Sequence, residues 1–190
     1  MEIILKPHDP KWAEEFAIHK ANLELILTGI PILSIEHVGS TSIPDLLAKP
    51  VIDIDIVIDP SNFFETYTAL TNHKYKHIGE CHIPGRHSFF QPDSDENGNP
   101  WRRGEKRRNT YVVYKDCPSL RNHRDVKRVL MEDVELRKEY AETKRMLVED
   151  KGIDDLEEYA KGKNEIVNKI LKKAGWTDEE LLQAGKVDFY

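Results

Sequence analysis

The sequence feature that most restricts the fold is residues 51–59, VIDIDIVID. Side chains of a strand alternate between its two faces, so the isoleucines of this run form one apolar face. Asp53 and Asp55 stand together on the other face, with Cα atoms about 6.5–7 Å apart. Aspartate is disfavoured in strands, and two adjacent carboxylates repel each other unless a cation lies between them. The run predicts a strand that either exposes one wet face or holds a hard divalent ion such as Mg²⁺ or Mn²⁺.

A Gly-Ser turn precedes this strand, in residues 38–42, VGSTS. It closes a predicted strand over residues 32–38, and Ser42 with Asp45 forms a capping-box pattern for a short helix over residues 43–48. Glycine lets the backbone approach a ligand closely, and the N–H groups of a helix N-terminus suit a phosphate. The motif therefore indicates a phosphate-binding turn, with a plain structural turn as the alternative.

The remaining pattern predicts an N-terminal helix, an α/β core and a helical second half. Asp9-Pro10 is typical of a helix start, and apolar residues recur at helical spacing as far as Leu27. Further predicted elements are a helix over 62–72, strands near 75–81, 87–91 and 109–114, helices from 119 to 131, 133 to 149 and 154 to 174, and a capped turn at Thr177 with Glu180. We expect one α+β domain over residues 1–190, with a mixed-sheet core over about 1–115 and a helical annex over about 119–190.

Charge and composition exclude several classes of protein. The formal net charge of −6 disfavours general nucleic-acid or membrane-surface binding, because both require a basic face. No segment approaches the roughly 20 apolar residues of a membrane span. The first ten residues do not resemble a secretory signal, and two cysteines, Cys81 and Cys117, form no disulfide framework. A cytoplasmic location is therefore expected.

The combined motifs resemble a known protein family. An apolar-Gly-Ser turn, twelve intervening residues and then Asp-apolar-Asp-apolar is similar to the pattern of the polymerase-beta-like nucleotidyltransferases. The longer run IEHVGSTSIPDLLAKPVIDIDIVI resembles the hallmark of the GrpB family, small bacterial proteins with such a core. The resemblance covers most of the chain and includes PHDPKWAEEF, Gly79-Glu80, Pro84-Gly85-Arg86, Arg124-Asp125, Tyr140 with Lys144, and Tyr159 with Gly162-Lys163.

The resemblance implies a nucleotidyltransferase-like fold and Mg²⁺- or Mn²⁺-dependent transfer of a nucleotidyl group from a nucleoside triphosphate to an unidentified small-molecule acceptor. Asp53 and Asp55 would hold the metal. The expected phosphate-binding residues are Gly39, Ser40, Thr41, Ser42, Lys49 and Arg86. The alternative is a non-catalytic nucleotide-binding or accessory module. Fusion of some relatives to dephospho-coenzyme A kinase suggests a link to coenzyme A metabolism.

Two departures from the family pattern bear on catalysis. Residues 109–114, NTYVVY, lack the histidines that family members usually carry there. They also lack the third carboxylate that nucleotidyltransferases place on a neighbouring strand, and Glu80 is the nearest substitute.

Two further groups have simple explanations. The basic run over residues 102–108 is expected to be a solvated loop, with a flap over triphosphate as the alternative. The spacing of His77, Cys81, His82 and His87 fits no closed zinc pattern.

Overall fold

The computed structural model describes residues 3–100 and 107–185, and side chains as far as residue 183. Its strands are β1 Ile32–Val38, β2 Ile52–Ile58, β3 Lys76–Gly79, β4 Arg86–Phe90 and β5 Arg108–Tyr114. Its α-helices are α1 Lys11–Ile26, α2 Phe63–Asn72, α3 Pro118–Glu132, α4 Val134–Arg145, α5 Leu156–Gly162, α6 Asn164–Lys173 and α7 Asp178–Gly185.

The strands form one mixed sheet in the order β1-β2-β5-β4-β3. β2 runs parallel to β5, and the other neighbouring pairs are antiparallel. In the β1–β2 register Val38 lies opposite Asp53, and in the β2–β5 register Asp53 lies beside Asn109. The chain leaves β1 immediately after Val38, so the Gly-Ser turn begins next to Asp53.

Helices cover both faces of the sheet. The isoleucines of β2 pack with Trp12 and Leu23 of α1 and Leu70 of α2 in one buried cluster. The opposite face of β2 carries the aspartates and Val57, which packs with Val113 and Leu120 of α3. α3 packs further against α4 and α6 in a second cluster. The expected α+β class is confirmed: a mixed sheet with an N-terminal helix and helices in its second half.

The short helix expected over residues 43–48 is absent. A single 3₁₀ turn, Ser40–Ser42, follows Gly39 instead. Asp45 has φ of 60°, which is left-handed and ends any right-handed helix there. The capping-box pattern was therefore misleading, because the Ser42 hydroxyl donates back to the carbonyl of Gly39 at 2.7 Å.

The single helix expected over residues 154–174 is two helices, α5 and α6, that meet at Lys163. At Gly162 a Cβ atom would lie 2.6 Å from Cδ2 of Leu147, so the chain passes close to the helical turn that precedes Lys151. Lys163 stays beside its predicted stripe neighbours, and the structure shows that Leu156, Tyr159, Lys163 and Val167 of that stripe line one cavity.

Other predictions concern membranes and the basic run. Within the described residues, no helix has both the length and the apolar character needed to cross a bilayer. The described residues include only Arg107 and Arg108 of the basic run, and its other members, Arg102, Arg103 and Lys106, lie outside them.

The cap at the start of α7 is confirmed. The Glu180 carboxylate accepts a hydrogen bond from the Thr177 N–H, and the Thr177 hydroxyl accepts one from the Glu180 N–H.

The contact between Gly162 and Leu147 predicts an unusual sign for a helix substitution. Gly→Ala in a helix normally stabilises by about 0.4–1 kcal/mol. Gly162→Ala should instead lower the free energy of unfolding by about 1–3 kcal/mol, because the new methyl group overlaps Leu147. Urea unfolding measures this. In a Leu147→Ala background the same substitution should be neutral or stabilising, and stabilisation in the wild-type background would contradict the prediction.

Candidate active site

Asp53 and Asp55 lie on the same face of β2 but in different surroundings. Asp53 lines a cavity of about 500 Å³, and its Oδ1 accepts a hydrogen bond from Nδ2 of Asn109 at 2.7 Å. Asp55 has no exposed surface. Its Oδ2 lies 2.7 Å from Nδ1 of His123 on α3, and its Oδ1 is buried with no hydrogen-bond partner in the described part of the chain. The pair therefore has one carboxylate in the cavity and one beneath the His123 ring.

Gly39 brings the turn into direct contact with Asp53. A Cβ atom on Gly39 would lie 2.3 Å from Oδ2 of Asp53, a distance that no side chain tolerates. Gly39 also has φ of 70° and ψ of −177°, which is essentially reserved for glycine. Glycine is thus required here both by its backbone conformation and by the space that the carboxylate occupies.

The Ser40 hydroxyl connects the turn to the helical half of the chain by hydrogen bonds. Its Oγ accepts a hydrogen bond from Nζ of Lys144 at 3.0 Å, and its side chain also hydrogen-bonds Tyr140. Thr41 also lines the cavity, but its hydroxyl donates to the carbonyl of Val51 at 3.1 Å. Ser42 bonds within the turn and does not line the cavity.

Positive charge dominates the described wall of the cavity. Lys144 is 2% exposed, and burial lowers its pKa well below the usual value, with the charges of Lys163 and Lys49 acting in the same direction. Burial also lowers the pKa of Lys163 to about 7 and lowers that of Lys49. The acidic lining residues are Asp53 and Glu157, and the basic ones are Lys49, Arg86, Arg107, Lys127, Lys144, Lys161 and Lys163. Such a wall suits a polyanion.

The aspartates fit a divalent cation in part. Their oxygens are the hard ligands that Mg²⁺ and Mn²⁺ prefer, and the unpartnered Oδ1 of Asp55 is a buried acceptor without a donor. Among the described residues no group of three or more His, Cys, Asp or Glu side chains is arranged to hold a metal. A cation here would have two protein ligands and take its others from phosphate and water.

Glu80 is not brought to this cavity. Its Oε1 accepts from the Gly85 N–H at 2.8 Å and lies 3.5 Å from Nε2 of His87. His87 packs on Phe63 of α2, on the opposite face of the sheet from Asp53. The expectation that Glu80 supplies a third carboxylate fails on geometry, because its segment turns toward the α2 side. Asn109 occupies the place beside Asp53 on the neighbouring strand.

Sequence reasoning missed His123 and the role of three helical residues. His123 carries no local motif, and only the crossing of α3 over β2 brings it to Asp55. Tyr140, Lys144 and Lys163 marked a family resemblance without an assigned role. Two features of the sequence could have indicated them. Tyr140 and Lys144 are four residues apart and therefore share one helix face, and Lys163 is a lysine within an otherwise apolar stripe.

The sheet, the turn and the paired aspartates define an α+β protein in which a glycine turn abuts a strand that carries two carboxylates. The chain belongs to the GrpB family, whose model, described as GrpB protein, matches residues 2–173. It is 34% identical over 194 residues to a UPF0157 protein of Pseudomonas aeruginosa, covering 95% of this chain and 72% of that one. A UPF0157 protein of Streptomyces coelicolor is 29% identical over 177 residues, 92% of this chain and 86% of that protein. The crystal structure of the conserved protein GrpB from Enterococcus faecalis superposes with a TM-score of 0.72 at 24% identity, covering 90% of this chain and 96% of that one.

The burial of Asp53 predicts a pH-dependent effect on stability. Burial raises its pKa above 3.8, so the folded state binds this proton more tightly than the unfolded state. The contribution of Asp53 to stability is therefore lost as pH rises from 3.8 through the higher folded-state pKa. In metal-free buffer, Asp53→Asn should raise the melting temperature at pH 7, and the gain should shrink toward pH 4.

Asp59→Asn is the matched control on the same segment. Asp59 is half-buried, and its hydrogen bond from Lys115 lowers its pKa to about 2, so its loss should not stabilise the protein at any pH. Differential scanning calorimetry with a chelator compares the two. A lower melting temperature of Asp53→Asn at pH 7 would contradict the assignment of a destabilising buried charge.

Proposed function

We propose that this protein transfers a nucleotidyl group from a nucleoside triphosphate to a small-molecule acceptor, with Mg²⁺ or Mn²⁺ as cofactor. The observation that supports this most is the contact between Gly39 and Asp53, which joins a phosphate-type turn to a carboxylate in one basic cavity. A cavity built only to bind an anion has no use for a buried carboxylate on its floor.

The turn and the helical half together would bind the triphosphate. Gly39 permits close approach of the backbone, and the Ser40 hydroxyl with the Lys144 ammonium would bind the β- and γ-phosphates. Lys49 and Lys163 lie within electrostatic range of Lys144 and of each other, and burial is the main cause that lowers the pKa of all three lysines. A bound polyphosphate would favour their charged forms.

The aspartates would hold the metal. When bound, Mg²⁺ or Mn²⁺ neutralises phosphate charge and stabilises the attacking and leaving oxygens of the transfer. Asp53 would ligate from the cavity side, while Asn109 orients its carboxylate by a hydrogen bond. Asp55 would exchange its hydrogen bond with His123 for the cation.

The second candidate function is a non-catalytic nucleotide-binding or accessory module of the same fold. A link to coenzyme A metabolism belongs to this second proposal. The observation that favours such a module is the lack of a third carboxylate among the described residues near Asp53, where Asn109 stands on the neighbouring strand and Glu80 is directed elsewhere. Both candidates predict metal and nucleotide binding, and turnover separates them.

The first test of this proposal is metal binding. Asp53→Asn and Asp55→Asn should each weaken Mn²⁺ binding at least about tenfold, because each removes one of two charged ligands. Electron paramagnetic resonance of free Mn²⁺ measures this without any assay of activity. Asp59→Asn, at the end of the same segment, should leave Mn²⁺ affinity unchanged. Equal affinity in all three variants would place the metal elsewhere.

The second test is turnover. With Mg²⁺ or Mn²⁺, the enzyme interpretation predicts slow pyrophosphate release from one or more nucleoside triphosphates, abolished in Asp55→Asn and reduced at least about tenfold in Lys144→Gln. Binding of triphosphate without pyrophosphate release, across a panel of the common nucleotides and acceptor extracts, would favour the binding module.

A further inference from the structure

Arg86 is a buried charge for which the described residues provide no hydrogen-bond or ion-pair partner. It is 6% exposed on β4, and its Nε is among the buried atoms that no described group bonds. Its guanidinium carbon lies 4.7 Å from the centre of the Tyr111 ring. The side chain lines the same cavity as Asp53.

A buried arginine without a counter-charge lowers the stability of the folded protein as long as no anion binds to it. Burying a charged group without a counter-charge costs several kcal/mol, and stacking on an aromatic ring recovers only a fraction of this. The five N–H groups of a guanidinium form a planar fork that matches a carboxylate or a phosphate. Arg86 is therefore arranged to receive an anion that enters the cavity.

Asn122 provides a second unpartnered donor on the cavity wall. It is 4% exposed on α3, and its Nδ2 is buried without a hydrogen-bond acceptor in the described residues. Arg86 of β4 and Asn122 of α3 both line the cavity, so it has donors from the sheet and from a helix. An amide donor supplements a guanidinium without adding charge, which suits a carboxylate or phosphate oxygen.

The position of Arg86 separates it from the triphosphate turn. β4 is three strands from β1, about 14 Å at the usual strand spacing. Along β5, Arg86 aligns with Val113, whereas Asp53 aligns with Asn109. The Gly39 turn and Lys144 thus lie on one side of Asp53, and Arg86 lies on the other, away from the proposed triphosphate site.

We propose that the acceptor is itself an anion, and that Arg86, with the amide of Asn122, binds its carboxylate or phosphate group. The assignment of the anion as the acceptor rests on the proposed function. The anion-binding site at Arg86 does not depend on it. The assignment makes Arg86 a determinant of acceptor specificity instead of a contact to the triphosphate. Neutral acceptors would leave the buried guanidinium uncompensated and would be selected against.

The test measures anion binding to protein already saturated with α,β-methylene-ATP and Mg²⁺. Inorganic phosphate and acetate are titrated separately, by calorimetry, against wild type, Arg86→Gln and Lys144→Gln. Wild type should bind one of the two anions saturably, and Arg86→Gln should bind it at least about tenfold more weakly. Lys144→Gln should keep anion binding and lose nucleotide-analogue affinity. Tighter binding of phosphate indicates a phosphorylated acceptor, and tighter binding of acetate a carboxylate.

Three outcomes would overturn the assignment: no saturable anion binding to nucleotide-saturated wild type, equal binding in Arg86→Gln, or a loss of analogue affinity in Arg86→Gln as large as in Lys144→Gln. If the analogue binds no variant, the proposed function fails. Phosphate binding to wild type and Lys144→Gln but not to Arg86→Gln would still support the subsite.

Stability provides an independent readout. Arg86→Gln removes an unpaired buried charge, so its melting temperature without anions should equal or exceed that of wild type. If Arg86→Gln does not fold, Arg86→Lys keeps the charge and loses the planar fork, and should weaken the same anion binding.

Discussion

Two carboxylates share one face of a buried strand, and several other parts of the structure contact or surround them. Two carboxylates this close repel each other, and burial beneath helices makes that repulsion more costly. Each aspartate has its own partner: Asn109 donates a hydrogen bond to Asp53 in the cavity, and His123 hydrogen-bonds Asp55. Because the pairing of His123 requires α3 to cross β2, the aspartates also fix where the helical half sits on the sheet.

The same constraint explains the lysines. A carboxylate at the floor of a cavity would repel a triphosphate unless the walls carried more positive charge than the floor carries negative. Lys144, Lys163 and Lys49 supply it from different segments, and burial together with the charge of neighbouring cations lowers the pKa of each. The proposed function would add the negative charge of a metal-bound polyphosphate to this wall.

Most elements could be predicted from local pattern. The β2 strand, β1 and the first helix follow from alternation, from apolar spacing and from Asp9-Pro10. Failures occurred where a local rule competed with a nearby backbone constraint. The capping-box pattern at Ser42 predicted a helix that does not form, since Asp45 adopts a left-handed conformation. The apolar stripe over residues 154–174 predicted one helix, whereas the chain has two, with Gly162 packed closely on Leu147 where they meet. Such contacts depend on residues distant in sequence, which a pattern cannot reveal.

The two aspartates on one face, the Gly-Ser turn and the family resemblance can be recognised in the amino-acid sequence, because strand periodicity and short motifs are local properties. The contact of Gly39 with Asp53, the hydrogen bond of His123 with Asp55 and the direction of Glu80 away from the cavity appear only in the folded chain. So does the burial of Arg86, for which the described residues provide no hydrogen-bond partner. The physical reason is common to all four: each depends on strand register or helix crossing, and therefore on packing between segments far apart in the chain.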